Sequence, residues 1–174
     1  FRRARIYTPT LGAAPAAGAE QGRIRSVEDG AFLVEDGRFA AVGSASEVEG
    51  SLSGRTPDQE FDLGGAAVVP GLVDPHTHAC FAARREAEFS MRLAGRPYLD
   101  ILKAGGGILS SVRAVRGASE EKLFSFSRDL LQRTLQYGTT TIEIKSGYGL
   151  DLDSELRMLR VIGRLGRETV QTVV

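Results

Sequence analysis

The two histidines of the chain, His76 and His78, stand two residues apart in the run DPHTH. Imidazole nitrogens are common ligands of zinc and of other transition metals. If this run is extended, even-numbered side chains share one face of the strand, so both rings can reach a single ion. The spacing alone leaves a second interpretation open, because histidines at the end of a strand also occur as ordinary hydrogen-bonded surface groups.

A second group of polar residues follows in the run TTTIEIKSGYG. Ile142 and Ile144 alternate with Glu143 and Lys145, which predicts a strand with one apolar and one polar face. Tyr148 lies in the glycine-rich turn that follows. Parallel α/β folds carry their active sites at the carboxyl ends of the strands, so we expect the two runs to bring their polar groups together. Lys145 also fits a simple ion pair with Glu143 or Asp74, and Tyr148 fits a packing role.

Two residues near the histidines are open to more than one interpretation. Cys80 could complete a His-His-Cys ligand set, but free cysteines are more often small core residues. Arg85, taken alone, is a solvated surface charge. The residues by themselves therefore indicate a candidate metal site on a parallel α/β scaffold and no further chemistry.

Residues 1–67 are predicted to form short strands and turns, which is typical of part of a small β-sandwich. The run RIYT is the first predicted strand, and the Ala-, Gly- and Pro-rich residues 11–26 predict a flexible loop. Asp36 and Gly37 lie between two apolar runs and predict a β-hairpin. Residues 60–70 add another extended segment. No amphipathic helix is predicted before about residue 95.

From Val68 the pattern changes to alternating strands and helices, which predicts parallel βα units. Residues 67–74 predict a strand buried on both faces. Residues 97–116 predict two helices separated by the triple glycine at 105–107. The next predicted helix is capped by Ser119 and ends at Gly138, and the strand TTTIEIK follows it. A further helix is capped by Asp151 or Asp153, with Gly166 past its end, and TVQTVV is the last predicted strand. The buried stripes predicted for the two long helices are Leu123, Phe126, Leu130, Thr134 and Tyr137, and then Leu152, Leu156, Leu159 and Ile162.

Composition limits the partners that the chain can have. Its 22 basic and 22 acidic residues balance, and no apolar run approaches the roughly 20 residues that span a bilayer. We therefore expect neither nucleic acid nor a membrane as a partner. Cys80 is the single cysteine, which excludes an intrachain disulfide and fits a reducing cytoplasm. The chain begins without Met and ends inside a predicted strand, so we expect it to be part of a longer protein.

The run PGLVDPHTH resembles the sequence that ends the first barrel strand in the amidohydrolase superfamily. The blocks AGGGI and KSGYGL narrow the resemblance to the imidazolonepropionase family, and it covers essentially the whole chain. This resemblance implies the first part of a TIM (β/α)8 barrel at residues 68–174, preceded by the N-terminal part of a β-sandwich at residues 1–67. A full barrel runs to about 250 residues, so we expect the barrel here to be incomplete.

The resemblance also implies a function. The family hydrolyses a small molecule, 4-imidazolone-5-propanoate, to N-formimidoyl-L-glutamate in cytoplasmic histidine breakdown, and it uses one divalent metal, zinc or iron. By position, the matching residues are His76 and His78 as metal ligands, Arg85 and Tyr148 as substrate-binding residues, and Tyr98 as a further tyrosine on the substrate side. The family position of Cys80 is usually aliphatic, which favours packing. The family tends to be dimeric, which allows a homodimer.

Two histidines are too few for a catalytic zinc, which takes about three protein ligands. We therefore expect the remaining ligands and the catalytic acid and base outside this chain, and we expect the chain alone to be inactive. The alternatives are another cyclic-amide hydrolase or deaminase of the same superfamily, or a non-catalytic truncated domain. A carboxylated Lys145 bridging two metals would indicate the dihydroorotase-like branch, although such a lysine is expected on a later strand.

Overall fold

A computed structural model describes residues 1–10, 12 and 15–174, and the chain divides into two compact units, Phe1–Pro70 and Gly71–Val174. The predicted loop at 11–26 falls partly outside the described residues, and its second half contains a short 3-10 helix at Gly18–Gly22. Within the described residues, no helix has the length and the apolar character needed to cross a membrane.

The first unit contains one four-stranded sheet. Its strands are β1 (Ala4–Pro9), β2 (Ile24–Glu35), β3 (Arg38–Ser44) and β4 (Ala67–Val68), in the order β3-β2-β1-β4. The predicted hairpin is confirmed, because β2 and β3 pair antiparallel and Glu35 lies opposite Arg38. Asp36 and Gly37 both have positive φ, 51° and 73°, as a tight two-residue turn between twisted strands requires.

Two helices contradict the prediction of no amphipathic helix before about residue 95: α1 (Ala45–Ser51), which follows β3, and a second helix at Glu86–Leu93. The sequence does show how α1 begins. Its first turn is fixed by a capping box: the Ser44 N–H donates to Glu47 Oε2 at 2.7 Å, and the Glu47 N–H donates to Ser44 Oγ at 3.3 Å. The helix buries only Val48. Capping and not an apolar stripe defines it, which is why periodicity missed it.

The second unit alternates strands and helices around a parallel sheet. Its elements are β5 (Leu72–Thr77), α2 (Glu86–Leu93), α3 (Tyr98–Lys103), α4 (Ile108–Arg116), α5 (Glu120–Gln136), β6 (Thr139–Ile144), α6 (Leu152–Glu168) and β7 (Thr172–Val173). The sheet order is β5-β6-β7, with both pairs parallel. The predicted parallel βα units, the glycine break between α3 and α4, and the helix caps Ser119 and Asp151 are confirmed.

The core of this unit lies between β6 and the helices α5 and α6. Ile142 and Ile144 of β6 are buried there, as their alternation with polar residues predicted. The helix residues buried in the same cluster are Leu123, Phe124 and Leu131 of α5, and Met158, Val161, Ile162 and Leu165 of α6.

The buried faces of both long helices differ from the predicted stripes. In α5 Leu123 is buried as predicted, but Tyr137 is 84% exposed. In α6 only Ile162 of the predicted set is buried, and Gly166 lies inside the helix. The exposed leucines of that set are Leu152, Leu156 and Leu159. The sequence of α6 carries two apolar stripes, and only packing against the sheet decides which is buried.

The predicted strand over residues 67–74 is wrong in two respects. The extended segment is interrupted at Pro70 and Gly71 and forms two strands. β4 pairs with β1 in one sheet, and β5 pairs with β6 in another. Proline has no N–H to donate to a strand ladder, which accounts for the break. The apolar residues are also not covered on both faces, since Val73 is 64% exposed.

The buried face of α6 can be tested by two leucine substitutions. Leu165 is fully buried and Leu159 is 50% exposed. We expect Leu165→Ala to lower the free energy of unfolding by about 2–5 kcal/mol, because it leaves a cavity in the core. Leu159→Ala, the matched control, should change it by less than about 1 kcal/mol. Urea unfolding of the chain measures both values, and the reverse order would show that the sequence-based stripe was right.

Candidate metal and substrate site

The two histidines lie side by side at the carboxyl end of β5. Their ring centroids are 5.7 Å apart and their planes are nearly perpendicular, at 86°. Two imidazoles that bind one ion through nitrogens at about 2.0–2.1 Å have centroids about 5 Å apart. The pair is therefore close to the geometry that a shared ion requires.

Simple alternation along β5 is not what brings the two rings together. The strand ends at Thr77, and its register with β6 shifts between Asp74 and Thr77. His78 thus lies one residue past the strand, where it is half-buried, while His76 is exposed. The adjacency of the rings agrees with the expectation, although the strand is irregular and ends before His78.

His78 is enclosed by the glycine-rich turn that follows β6. Its ring lies 5.3 Å from the ring of Tyr148, measured between centroids. Gly147 has φ 128°, and a Cβ at that position would stand 3.2 Å from His78 Cε1. A side chain there would be strained and would press on the imidazole, so glycine permits this close approach.

His78 also carries a buried nitrogen, Nδ1, that has no hydrogen-bond partner among the described residues. Buried polar atoms are nearly always satisfied by protein, water or an ion. This orphaned nitrogen and the adjacent ring of His76 fit a metal ion chemically. The fit is partial, because no group of three or more His, Cys, Asp or Glu residues in the described part of the chain could hold an ion.

The polar face of β6 is tied to the end of β5. The Thr77 hydroxyl donates to the Glu143 carbonyl at 2.6 Å, and the Lys145 N–H donates to the Thr77 carbonyl at 2.8 Å. Lys145 Nζ lies 3.1 Å from Glu143 Oε1, which confirms the ion-pair interpretation of that lysine. Burial acts to raise the pKa of Glu143, but hydrogen bonds from Lys145 and from the Thr77 N–H outweigh it and lower the pKa.

A second carboxylate, Glu155 of α6, binds the turn that carries Tyr148 and holds it in place. Its Oε1 accepts from the N–H groups of Gly149 at 2.7 Å and Leu150 at 2.8 Å. Burial acts to raise the pKa of Glu155, but hydrogen bonds from Ser146 and from the turn's backbone lower it below its ordinary value. Sequence analysis missed this residue, although a glutamate in the first turn of a helix directly after a glycine-rich turn is a usable signal.

One cavity of about 260 Å³ brings together several of the predicted site residues. It is lined by His78, Phe81, Ala83, Arg84, Arg85, Ser111 and Tyr148. Arg84 was not named from the sequence. Tyr98 does not line this cavity; it is exposed, and its hydroxyl lies near Gly107, where a Cβ would stand 3.7 Å from it.

Cys80 belongs to the core and not to the site. It is fully buried in the cluster that contains Ile142 and Met158. Burial raises the pKa of its thiol to about 11, so the sulfur is neutral at ordinary pH. A neutral buried thiol is a packing group, because metals bind the thiolate. The packing interpretation of Cys80 is therefore confirmed.

Parallel strands with a histidine pair at their carboxyl end, beside a cavity lined by arginine and tyrosine, are typical of metal-dependent enzymes on parallel α/β folds. Three relatives, each named imidazolonepropionase, match the chain closely. The protein of Syntrophobacter fumaroxidans is 55% identical over all 174 residues, that of Desulfotalea psychrophila 51% over the same length, and that of Haloarcula marismortui 52% over 140 residues. Over its whole length the chain is therefore similar to part of the proteins of the imidazolonepropionase family.

The match covers the whole chain but only part of each relative. The chain spans 41% of the Syntrophobacter protein, 42% of the Desulfotalea protein and 33% of the Haloarcula protein. No protein-family model matches the chain. Among solved structures, E. coli guanine deaminase aligns with 91% of this chain and 34% of its own, at 17% identity and a TM-score of 0.49. That likeness is too weak to define the fold.

The role of Glu155 predicts a pH-dependent stability. A carboxylate whose pKa is lower in the folded than in the unfolded state stabilises the fold at any pH above its pKa in the unfolded state. This stabilisation is lost as the pH falls through its pKa in the folded state. Glu155→Ala should therefore lower the free energy of unfolding at pH 7 by about 2 kcal/mol, because two charge-assisted hydrogen bonds are lost. This difference in unfolding free energy from wild type should shrink as the pH falls below 4.5, the ordinary pKa of a glutamate.

The matched control is Asp153→Ala, an exposed acid in the same first helical turn. Urea unfolding of the chain between pH 7 and about pH 3 gives both differences. Equal losses for the two variants, or a Glu155 effect that does not depend on pH, would contradict the account of the turn.

Proposed function

We propose that the chain carries two metal ligands and the substrate-binding side of an imidazolonepropionase. The whole protein would hydrolyse 4-imidazolone-5-propanoate to N-formimidoyl-L-glutamate. The observation that carries this proposal is the clustering of His78, Arg85 and Tyr148 around one cavity, with His76 beside His78, in a chain 55% identical to a protein of that name.

His76 and His78 are the residues that would hold the metal, zinc or iron. A bound divalent metal supplies polarisation of the ring carbonyl and lowers the pKa of bound water to about 7. The remaining ligands and the general acid and base would come from the part of the relatives' length that this chain does not span. The buried Nδ1 of His78, which has no hydrogen-bond partner among the described residues, supports a metal-binding role for this histidine.

Arg85 is the group suited to the propanoate tail of the substrate. A guanidinium pairs with a carboxylate through two parallel hydrogen bonds, which fixes both position and orientation. Tyr148 packs beside His78 in the same cavity, so its hydroxyl can donate a neutral hydrogen bond to the substrate between the metal side and the arginine. Tyr98 would add a further hydroxyl on the substrate side.

The proposal includes the architecture of the whole protein. Residues 1–67 would be the N-terminal part of a β-sandwich domain, and residues 68–174 the first part of a (β/α)8 barrel whose other strands complete the metal site. The enzyme would act in the cytoplasm on a small molecule, with neither nucleic acid nor a membrane as a partner, and could assemble as a homodimer. The parallel order β5-β6-β7 supports the barrel, since consecutive parallel strands with intervening helices are its repeating unit.

The test uses the longer protein that includes this chain, purified with its metal. We expect it to open the ring of 4-imidazolone-5-propanoate. His76→Ala should lose most of the bound metal and the activity, because it removes a ligand. Arg85→Ala should raise KM by about tenfold or more with unchanged metal content, because it removes a carboxylate contact.

Arg92→Ala is the matched control, since Arg92 lies on α2 in an exposed position away from the cavity. Substrate turnover and metal analysis by atomic emission give the results. Loss of metal in Arg85→Ala would refute the substrate role, and hydrolysis of another cyclic amide in preference to the imidazolone would favour a different amidohydrolase activity.

A further inference from the structure

The triple glycine at 105–107 has no role in the chemistry described above, yet it packs against Glu88 of α2. A Cβ at Gly106 would stand 2.9 Å from the Ile101 carbonyl oxygen and 3.0 Å from Glu88 Cδ. Real Cβ atoms are essentially never found closer than 3.0 Å to other atoms, so no larger residue fits here without a shift. Glycine is therefore required by the close approach to Ile101, and it also leaves the Glu88 carboxylate in contact with the turn.

The glycine turn is held in place by its own hydrogen bonds. The Gly105 N–H donates to the Leu102 carbonyl and the Gly106 N–H to the Ile101 carbonyl, each at 2.9 Å. The Arg113 guanidinium of α4 also donates to the Gly105 carbonyl. The glycine turn between α3 and α4 is thus an ordered, hydrogen-bonded turn.

Glu88, which lies beside this glycine turn, is paired with Arg85. The Arg85 Nε–H donates to Glu88 Oε2 at 3.0 Å. The Glu88 side chain is only 14% exposed, whereas that of Arg85 is 40% exposed and lines the cavity. A shielded carboxylate limits the positions that the guanidinium can take more strongly than an exposed one.

We propose that Glu88, backed by the glycine turn, is a positioning residue that orients Arg85 for the carboxylate of the substrate. Among the three guanidinium nitrogens of Arg85, Nε is the one that has a hydrogen-bond partner within the described residues. The two terminal nitrogens are left for a carboxylate, and together they form one face of the guanidinium fork. Glu88 fixes the fork before substrate arrives, which reduces the ordering that binding requires. This inference rests on the proposed function for the identity of the substrate.

The test measures KM and kcat in the longer, metal-loaded protein. Glu88→Ala should raise KM about tenfold with kcat changed less than about twofold, since an interaction with the unreactive tail is weakened. Glu88→Gln, which keeps an oxygen acceptor for Nε–H, should recover most of the affinity. Glu86→Ala, at an exposed acid in the same helical turn, is the matched control. Its carboxylate lies 3.9 Å from exposed Arg84 and not at Arg85, so KM should change by less than about twofold.

A double substitution separates positioning from a general structural role. In an Arg85→Ala background, Glu88→Ala should add less than about a twofold change in KM, because its effect passes through Arg85. A tenfold rise that persists without the arginine, or no rise in the single variant, would overturn the proposal.

A measurement with propionate keeps the positioning role distinct from the proposed function. Propionate serves as a carboxylate probe, and its effect on the thermal unfolding midpoint is followed in the same variants. Protection of wild type and Glu88→Gln but not of Glu88→Ala or Arg85→Ala supports the positioning role even if the imidazolone is not hydrolysed. Equal protection of wild type and Glu88→Ala would overturn it.

Discussion

The site depends on the parallel pairing of β5 with β6. Thr77, the last residue of β5, is bonded to both Glu143 and Lys145 at the end of β6, and this sets how far each strand extends. Because the two carboxyl ends stop at the same level, His78 meets the turn that carries Tyr148. A slip of one residue in this register would separate them, since side chains alternate between faces. The glycine at 147 then allows the close approach.

Three half-buried carboxylates hold the surroundings of the cavity in one arrangement. Glu155 binds the backbone of the turn after β6, Glu143 pairs with Lys145, and Glu88 pairs with Arg85 against the glycine turn. Each acid has fixed donors, so the binding groups are oriented by the fold and not by a ligand. Such preorganisation is how proteins reduce the entropy lost on binding.

From Pro97 onward the local sequence predicted the order of strands and helices, because alternation, caps and glycine breaks are local signals. The hairpin at Asp36 and the cap at Ser119 are of this kind. It did not predict which face of α6 is buried, since Leu156 and Met158 are both apolar and tertiary packing chooses between them. The histidine pair was visible from spacing, but the register shift in β5, the cavity residue Arg84 and the anchor Glu155 depend on contacts between distant segments.

In the proposed enzyme, His76 and His78 are half of a metal site whose other ligands lie in the part of the relatives' length that this chain does not span. Metal analysis of the chain and of the longer protein, after both are dialysed against the same zinc buffer, distinguishes half a site from a complete one. We expect about one equivalent in the longer protein and about a tenth or less in the chain, because two imidazoles alone bind zinc weakly. Stoichiometric zinc in the chain alone would contradict the claim.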